Sequence, residues 1–135
     1  MVTKGMQGVS EIIVTEELTA QAMGSGTLPV YATPAMIALM EGTAAKSVEG
    51  ELEEGTSTVG ARIYLEHKAP SPVGMKVTCL TKLIGIDENK LVFDVEAYDE
   101  CGLVGKGTHE RVVVHKESFQ QKAEKRLEDR KQYQG

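Results

Sequence analysis

Thr33, Glu41 and His67 carry a hydroxyl, a carboxylate and an imidazole, side-chain types that serve as nucleophile, charged partner and proton carrier. Thr33-Pro34-Ala35-Met36-Ile37-Ala38-Leu39-Met40-Glu41 reads as a helix with one polar residue at its mouth and one carboxylate two turns in. A surface helix would carry a polar face, so this one is expected to be buried nearly all round. A carboxylate in such a setting costs several kcal/mol unless it is paired, hydrogen-bonded or protonated, and carboxylates so placed are often functional. Plainer readings stand beside these. Thr33 before Pro34 also makes a standard helix opening, with a hydroxyl that can cap and a proline where its missing N–H is harmless. A helical Glu is usually solvated, and a lone inward His is more often a satisfied core residue.

The elements that must position these residues follow from the pattern. The β-branched run Ile12-Ile13-Val14-Thr15 places a strand within Val9 to Leu18, and Thr19 to Met23 leads into a loop. Gly24-Ser25-Gly26 and Pro29 keep the next residues irregular, a passage placed where a lid or an entrance is expected. The helix continues to about Val48, and Gly42 in its middle implies that another backbone packs against it. After the acidic loop of residues 49 to 55 the period becomes alternating. Ala61, Ile63, Leu65 and His67 share one face of a strand, with Arg62, Tyr64, Glu66 and Lys68 on the other, so His67 points inward.

Three further strands follow: Lys76 to Ile86, Leu91 to Tyr98, and one through Gly107 to Val114. Asp87-Glu88-Asn89-Lys90 and Asp99-Glu100-Cys101-Gly102 are the connections between them. Glu117 to Gln132 is a highly charged helix whose narrow stripe, Phe119, Ala123 and Leu127, should pack weakly on the domain edge or on a partner. A helix apolar on nearly every side needs a curved antiparallel sheet wrapped around it. The fold class is therefore α+β, the hotdog fold, with a central buried helix and a C-terminal charged helix. Free sheet edges in such a fold call for a homodimer.

Four segments in register then resemble the fluoroacetyl-CoA thioesterase family of hotdog enzymes. They are Val30-Tyr31-Ala32-Thr33, Leu39-Met40-Glu41, the Gly60 to His67 strand with its Pro-Gly turn, and Gly107-Thr108-His109-Glu110-Arg111. The resemblance covers roughly residues 28 to 120. It implies an acyl-CoA thioesterase, a thioester hydrolase that releases free acid and coenzyme A, with Thr33, Glu41 and His67 as the catalytic set. It also implies substrate contacts at Gly60 and Arg111, and no cofactor, metal or redox group beyond the CoA of the substrate itself. Thioester hydrolysis needs a nucleophile or activated water, a proton carrier and donors for an oxyanion. The order of residues leaves open whether Thr33 or Glu41 attacks, and Arg111 could equally form a salt bridge with a carboxylate. Specialised members of the family carry phenylalanine in the lid, where this chain has Thr27, so a more general short-chain acyl-CoA is expected. A non-catalytic acyl-CoA-binding protein is the alternative; a hotdog dehydratase would require an Asp-x4-His-type pairing that the chain lacks.

Composition bounds these readings. At 135 residues and 41% apolar content, the expectation for residues 1–135 is one thioesterase-like domain. A net charge of -5 without a basic stripe argues against nucleic acid. No apolar run approaches the ~18 residues of a membrane span and no secretory leader follows Met1, which points to a cytoplasmic protein without a membrane partner. Cys79 and Cys101 match no metal spacing and read as a small core residue and a turn residue.

Overall fold

The computed structural model describes residues 1–130. Five strands, β1 (Gln7–Ile13), β2 (Thr56–His67), β3 (Lys76–Asp87), β4 (Lys90–Asp99) and β5 (Gly102–His115), form one antiparallel sheet in the order β1-β3-β4-β5-β2. Helix α2 (Thr33–Glu49) lies across one face of this sheet, touching β1, β2, β3 and β4, as the hotdog reading requires. A 3-10 turn (Glu16–Leu18) and a single-turn helix α1 (Ala20–Met23) lie between β1 and α2, where the residue pattern predicts continued strand and loop. The strand ends early because Val14 turns inward, 1% exposed, and its N–H and C=O bond to Met75 and Gly74. α3 (Lys116–Asp129) follows β5 directly; residues 131 and 132 of the expected tail helix lie outside the described residues.

Met36, Met40, Ala44 and Val48, spaced at i, i+4, i+8 and i+12 along α2, meet Val77, Cys79, Leu83, Leu91, Phe93, Val95 and Ala97 from the alternating inward positions of β3 and β4. Burial of each large apolar side chain contributes about 1.5–3 kcal/mol. The expectation that α2 is buried nearly all round is not met within one chain. Pro34, Ala38, Gly42 and Lys46 face outward and are not buried, because a single sheet covers only one side of a helix. Nothing lies within 4 Å of where a Gly42 side chain would begin. The close backbone approach is at Gly8 of β1 instead, where an added Cβ would fall 2.9 Å from the Thr43 carbonyl oxygen.

Two local irregularities matter for the site. The β2–β5 register slips between Gly60 and Arg62, leaving Ala61 as an extra, exposed residue. This bulge inverts the inward parity of β2. Without it, a strand that buries Thr58 on even positions would turn His67 outward. The Asp99–Gly102 hairpin turn is closed by Asp99 Oδ1, which accepts from the N–H groups of Cys101 (2.8 Å) and Gly102 (3.2 Å). Its other oxygen accepts from the fully buried Ser71 hydroxyl at 2.8 Å, anchoring the turn that follows His67. Cys79 is buried and Cys101 exposed, both as free thiols.

Candidate active site

Thr33 is the first residue of α2, with Ala32 at the capping position and Pro34 in the first turn. Its hydroxyl makes no cap. It lies instead 2.7 Å from Nδ1 of His67, which β2 presents from its far end. Both residues line a cleft of about 370 Å³ together with Ser25, Val30, Tyr31 and Lys68. The passage of residues 24 to 30 beside it is exposed apart from the half-buried Val30, and it is tied down by backbone bonds from Ala20 to Val30 (2.8 Å) and from Gln21 to Leu28 (3.1 Å).

His67 is half-buried, and the ring of the buried Tyr31 stands edge-on to it at 6.4 Å. Burial pulls the imidazole below its ordinary pKa, opposed in part by the Ala69 backbone, so the ring is neutral near pH 7. The Thr33 hydroxyl can therefore donate to Nδ1, which puts the ring proton on Nε2. Nε2 is itself buried and has no hydrogen-bond partner in this chain.

Glu41 lies two turns further along α2, about 12 Å of helix rise from Thr33. It is not enclosed by apolar groups: its side chain is 42% exposed, and its Oε2 is 3.9 Å from Nη1 of Arg111. Gly60 lets this arrangement exist, since a Cβ there would fall 2.3 Å from Glu41 Oε2. Arg111, only 7% exposed, is gripped by Thr58, whose hydroxyl accepts from Nε at 2.8 Å and whose carbonyl accepts from Nη2 at 3.0 Å. His109 lies 3.2 Å from Nη1 on the other side.

The sequence-predicted residues thus form two groups, Thr33 with His67, and Glu41 with Gly60 and Arg111. Among the described residues no hydrogen bond or ion pair joins the groups within one chain. Thr58 and His109 belong to the second group and carry no site role in the sequence reading. His109 lies in the Gly107 to Arg111 segment that carries the family resemblance, whereas for Thr58 the signal is its inward place in β2. A larger hollow of about 820 Å³ at the other end of α2, lined by Leu52, Ile86, Leu91 and Val113, holds none of these residues. Among the described residues no cluster of His, Cys, Asp and Glu is placed to hold a metal ion, and no helix is long and apolar enough to cross a membrane.

A five-stranded antiparallel sheet with a helix laid across one face is the hotdog fold of known thioesterases. The fluoroacetyl-CoA-specific thioesterase family model matches residues 14–117, and the chain belongs to that family. It is 37% identical over 93 residues to the fluoroacetyl-CoA thioesterase of Streptantibioticus cattleyicolor, an alignment spanning 69% of this chain and 67% of that one. A thioesterase superfamily member from Thermus thermophilus superposes with a TM-score of 0.87 at 32% identity, over 99% of this chain and 98% of that one. A point mutant of the fluoroacetyl-CoA-specific thioesterase, in complex with fluoroacetate and CoA, superposes with a TM-score of 0.83 at 29% identity, over 87% and 99% of the two chains. The protein is a thioester hydrolase.

Proposed function

We propose that this protein hydrolyses a small acyl-CoA thioester to the free acid and CoA, as a homodimer, with Thr33, His67 and Glu41 carrying the chemistry. The observation that carries the reading is the 2.7 Å contact between Thr33 Oγ1 and His67 Nδ1. It is the nucleophile–base distance that acyl transfer needs. Neutral His67 takes the Thr33 proton as the hydroxyl oxygen bonds to the thioester carbonyl carbon. The C–S bond then breaks, and the imidazolium returns the proton to the leaving sulfur. Water, deprotonated by the same ring, releases the acid and restores Thr33.

Such a base works best when its second nitrogen is held by an acceptor, and the buried Nε2 of His67 has none within its own chain. In this reading Glu41 of a second copy stabilises the imidazolium from the open cleft, since Nε2 itself is covered within its own chain. β2 is an edge of the sheet, and α2 leaves one side exposed. Pairing two β2 edges about a two-fold axis runs them antiparallel and carries the Gly60 region of one copy toward the His67 end of its partner. Gly60 and Arg111 then sit beside the thioester, the glycine admitting close approach and the guanidinium balancing charge.

The substrate class follows from the family and from the entrance. The structural neighbour described above holds fluoroacetate and CoA. Here the entrance passage carries Thr27 and the exposed Leu28 in place of an aromatic closure, which supports a broader range of short acyl groups.

Free-thiol release from acetyl-, fluoroacetyl-, medium-chain and aromatic acyl-CoA, measured beside Glu41→Gln, tests the proposal. Release by the wild type, falling on the order of 10²-fold in the variant, is the expected result. Thermal stabilisation by CoA esters without release from any of them would identify an acyl-CoA-binding protein instead. Full activity in Glu41→Gln would remove that carboxylate from the mechanism.

A further inference from the structure

His109 is 1% exposed and sits on β5 against the ring of Phe93, with ring centroids 6.3 Å apart. Both of its nitrogens are engaged. Nδ1 is 2.8 Å from the carbonyl oxygen of Arg62, and Nε2 is 3.2 Å from Nη1 of Arg111. A carbonyl only accepts and a guanidinium only donates. One protonation state satisfies both contacts, the neutral ring with its proton on Nδ1. Burial and the adjacent Arg111 charge hold the ring in that state, against the opposing pull of the Arg62 carbonyl, Glu41 and Glu110.

The two partners are not arbitrary. Arg62 is the residue at which β2 resumes its register after the bulge at Ala61, so the Nδ1–H bond pins the bulge that turns Gly60 toward α2. Arg111 already spends Nε and Nη2 on Thr58, and His109 fixes one Nη1 hydrogen. What is left of Nη1 faces the Glu41 carboxylate at 3.9 Å. Thr58 and His109 thus grip a guanidinium whose free edge is directed at Glu41.

We propose that His109, as the neutral Nδ1–H imidazole, is a positioning residue that sets the Glu41 carboxylate for thioester hydrolysis by holding Arg111 and the β2 bulge together. This rests on Glu41 acting in the reaction, as proposed above. His109 touches no substrate in this role. Its removal should therefore appear in kcat and leave KM for the CoA thioester nearly unchanged.

The experiment compares His109→Phe and His109→Gln, each alone and combined with Glu41→Gln, by steady-state thiol release from the best acyl-CoA of the panel. His109→Phe keeps the stack on Phe93 and loses both hydrogen bonds; His109→Gln returns an amide oxygen that can accept from Arg111. Misplacement of a catalytic group by about 1 Å can cost on the order of 10²-fold. Turnover by His109→Phe should therefore be lower by about 10- to 100-fold, with KM changing less than threefold, and His109→Gln should recover most of the loss. In the Glu41→Gln background His109→Phe should add no further loss. If His109→Phe does not fold, Thr58→Val takes its place, with the same loss confined to turnover and the same non-additivity expected. Unchanged turnover in the folded variant, or an equal fractional loss with and without Glu41, overturns the inference while leaving Glu41 in the mechanism. Full activity of Glu41→Gln overturns both.

Discussion

The mouth and the middle of α2 are built in opposite ways. At its mouth, Thr33 and His67 share one short hydrogen bond beside an open cleft, and the second imidazole nitrogen is left buried without a partner. Two turns along, Glu41 faces a guanidinium across 3.9 Å, and the three hydrogen bonds of that guanidinium are all to buried residues, Thr58 and His109. A buried polar atom without a partner costs about 1–3 kcal/mol. The mouth is thus the sparsely bonded part beside an open cleft, and the middle is the part where a charge is held in place.

Three perturbations can break or sharpen that contrast. The largest effect is expected at the mouth. His67→Ala removes the group that bonds the Thr33 hydroxyl, and kcat should fall on the order of 10²- to 10⁴-fold with an unchanged circular dichroism spectrum. Activity within threefold of wild type would place proton transfer elsewhere.

Beside Glu41, Gly60→Ala should act through geometry alone. The added Cβ would overlap Glu41 Oε2, which lies at the tip of a flexible side chain and can move aside. The melting temperature should therefore shift little while kcat falls on the order of 10-fold or more. A large loss of stability with normal turnover would show that Gly60 serves the bulge and not the carboxylate.

The smallest effect is in the pH dependence. Burial lowers the pKa of both His67 and His109 below 6.5, so the unfolded chain takes up protons first as pH falls. Stability from these groups is present above pH 6.5 and is lost as pH drops through the folded-state values. The melting temperature should decline as pH falls below 6.5, and His67→Ala should flatten part of that decline. In turnover, kcat/KM should rise with pH along a limb centred below 6.5 that belongs to His67. A limb centred above 6.5 would contradict a desolvated neutral base.

Some of this arrangement was legible in the order of residues. The alternation of Ala61, Ile63, Leu65 and His67 with Arg62, Tyr64, Glu66 and Lys68 places the imidazole on the inner face, where it lies, but Ala61 is exposed because the bulge takes it out of the alternation. Asp99-Glu100-Cys101-Gly102 announced its hairpin turn, and the Gly102 φ of 141° is one that glycine adopts readily. Thr33-Pro34 announced the start of α2 within a residue. Two expectations fail within one chain for one shared reason: the enclosure of a helix apolar on several faces, and the approach of another backbone to Gly42. Each depends on what lies across space and not on the residue type itself.

Element type and inward face follow from period, propensity and turn chemistry, which act between neighbours and are written in the order of residues itself. The partners that make a site do not. Thr33 and His67 are 34 positions apart, and Arg111 and Thr58 are 53 apart. They meet because β2 reaches the far edge of the sheet beside β5 and slips by one residue at Ala61. That slip brings both Gly60 and His67 to the α2 side. A strand of strict period two cannot bury Thr58 and His67 together, so the sequence could assign each residue its chemistry, and only the folded sheet could assign it a neighbour.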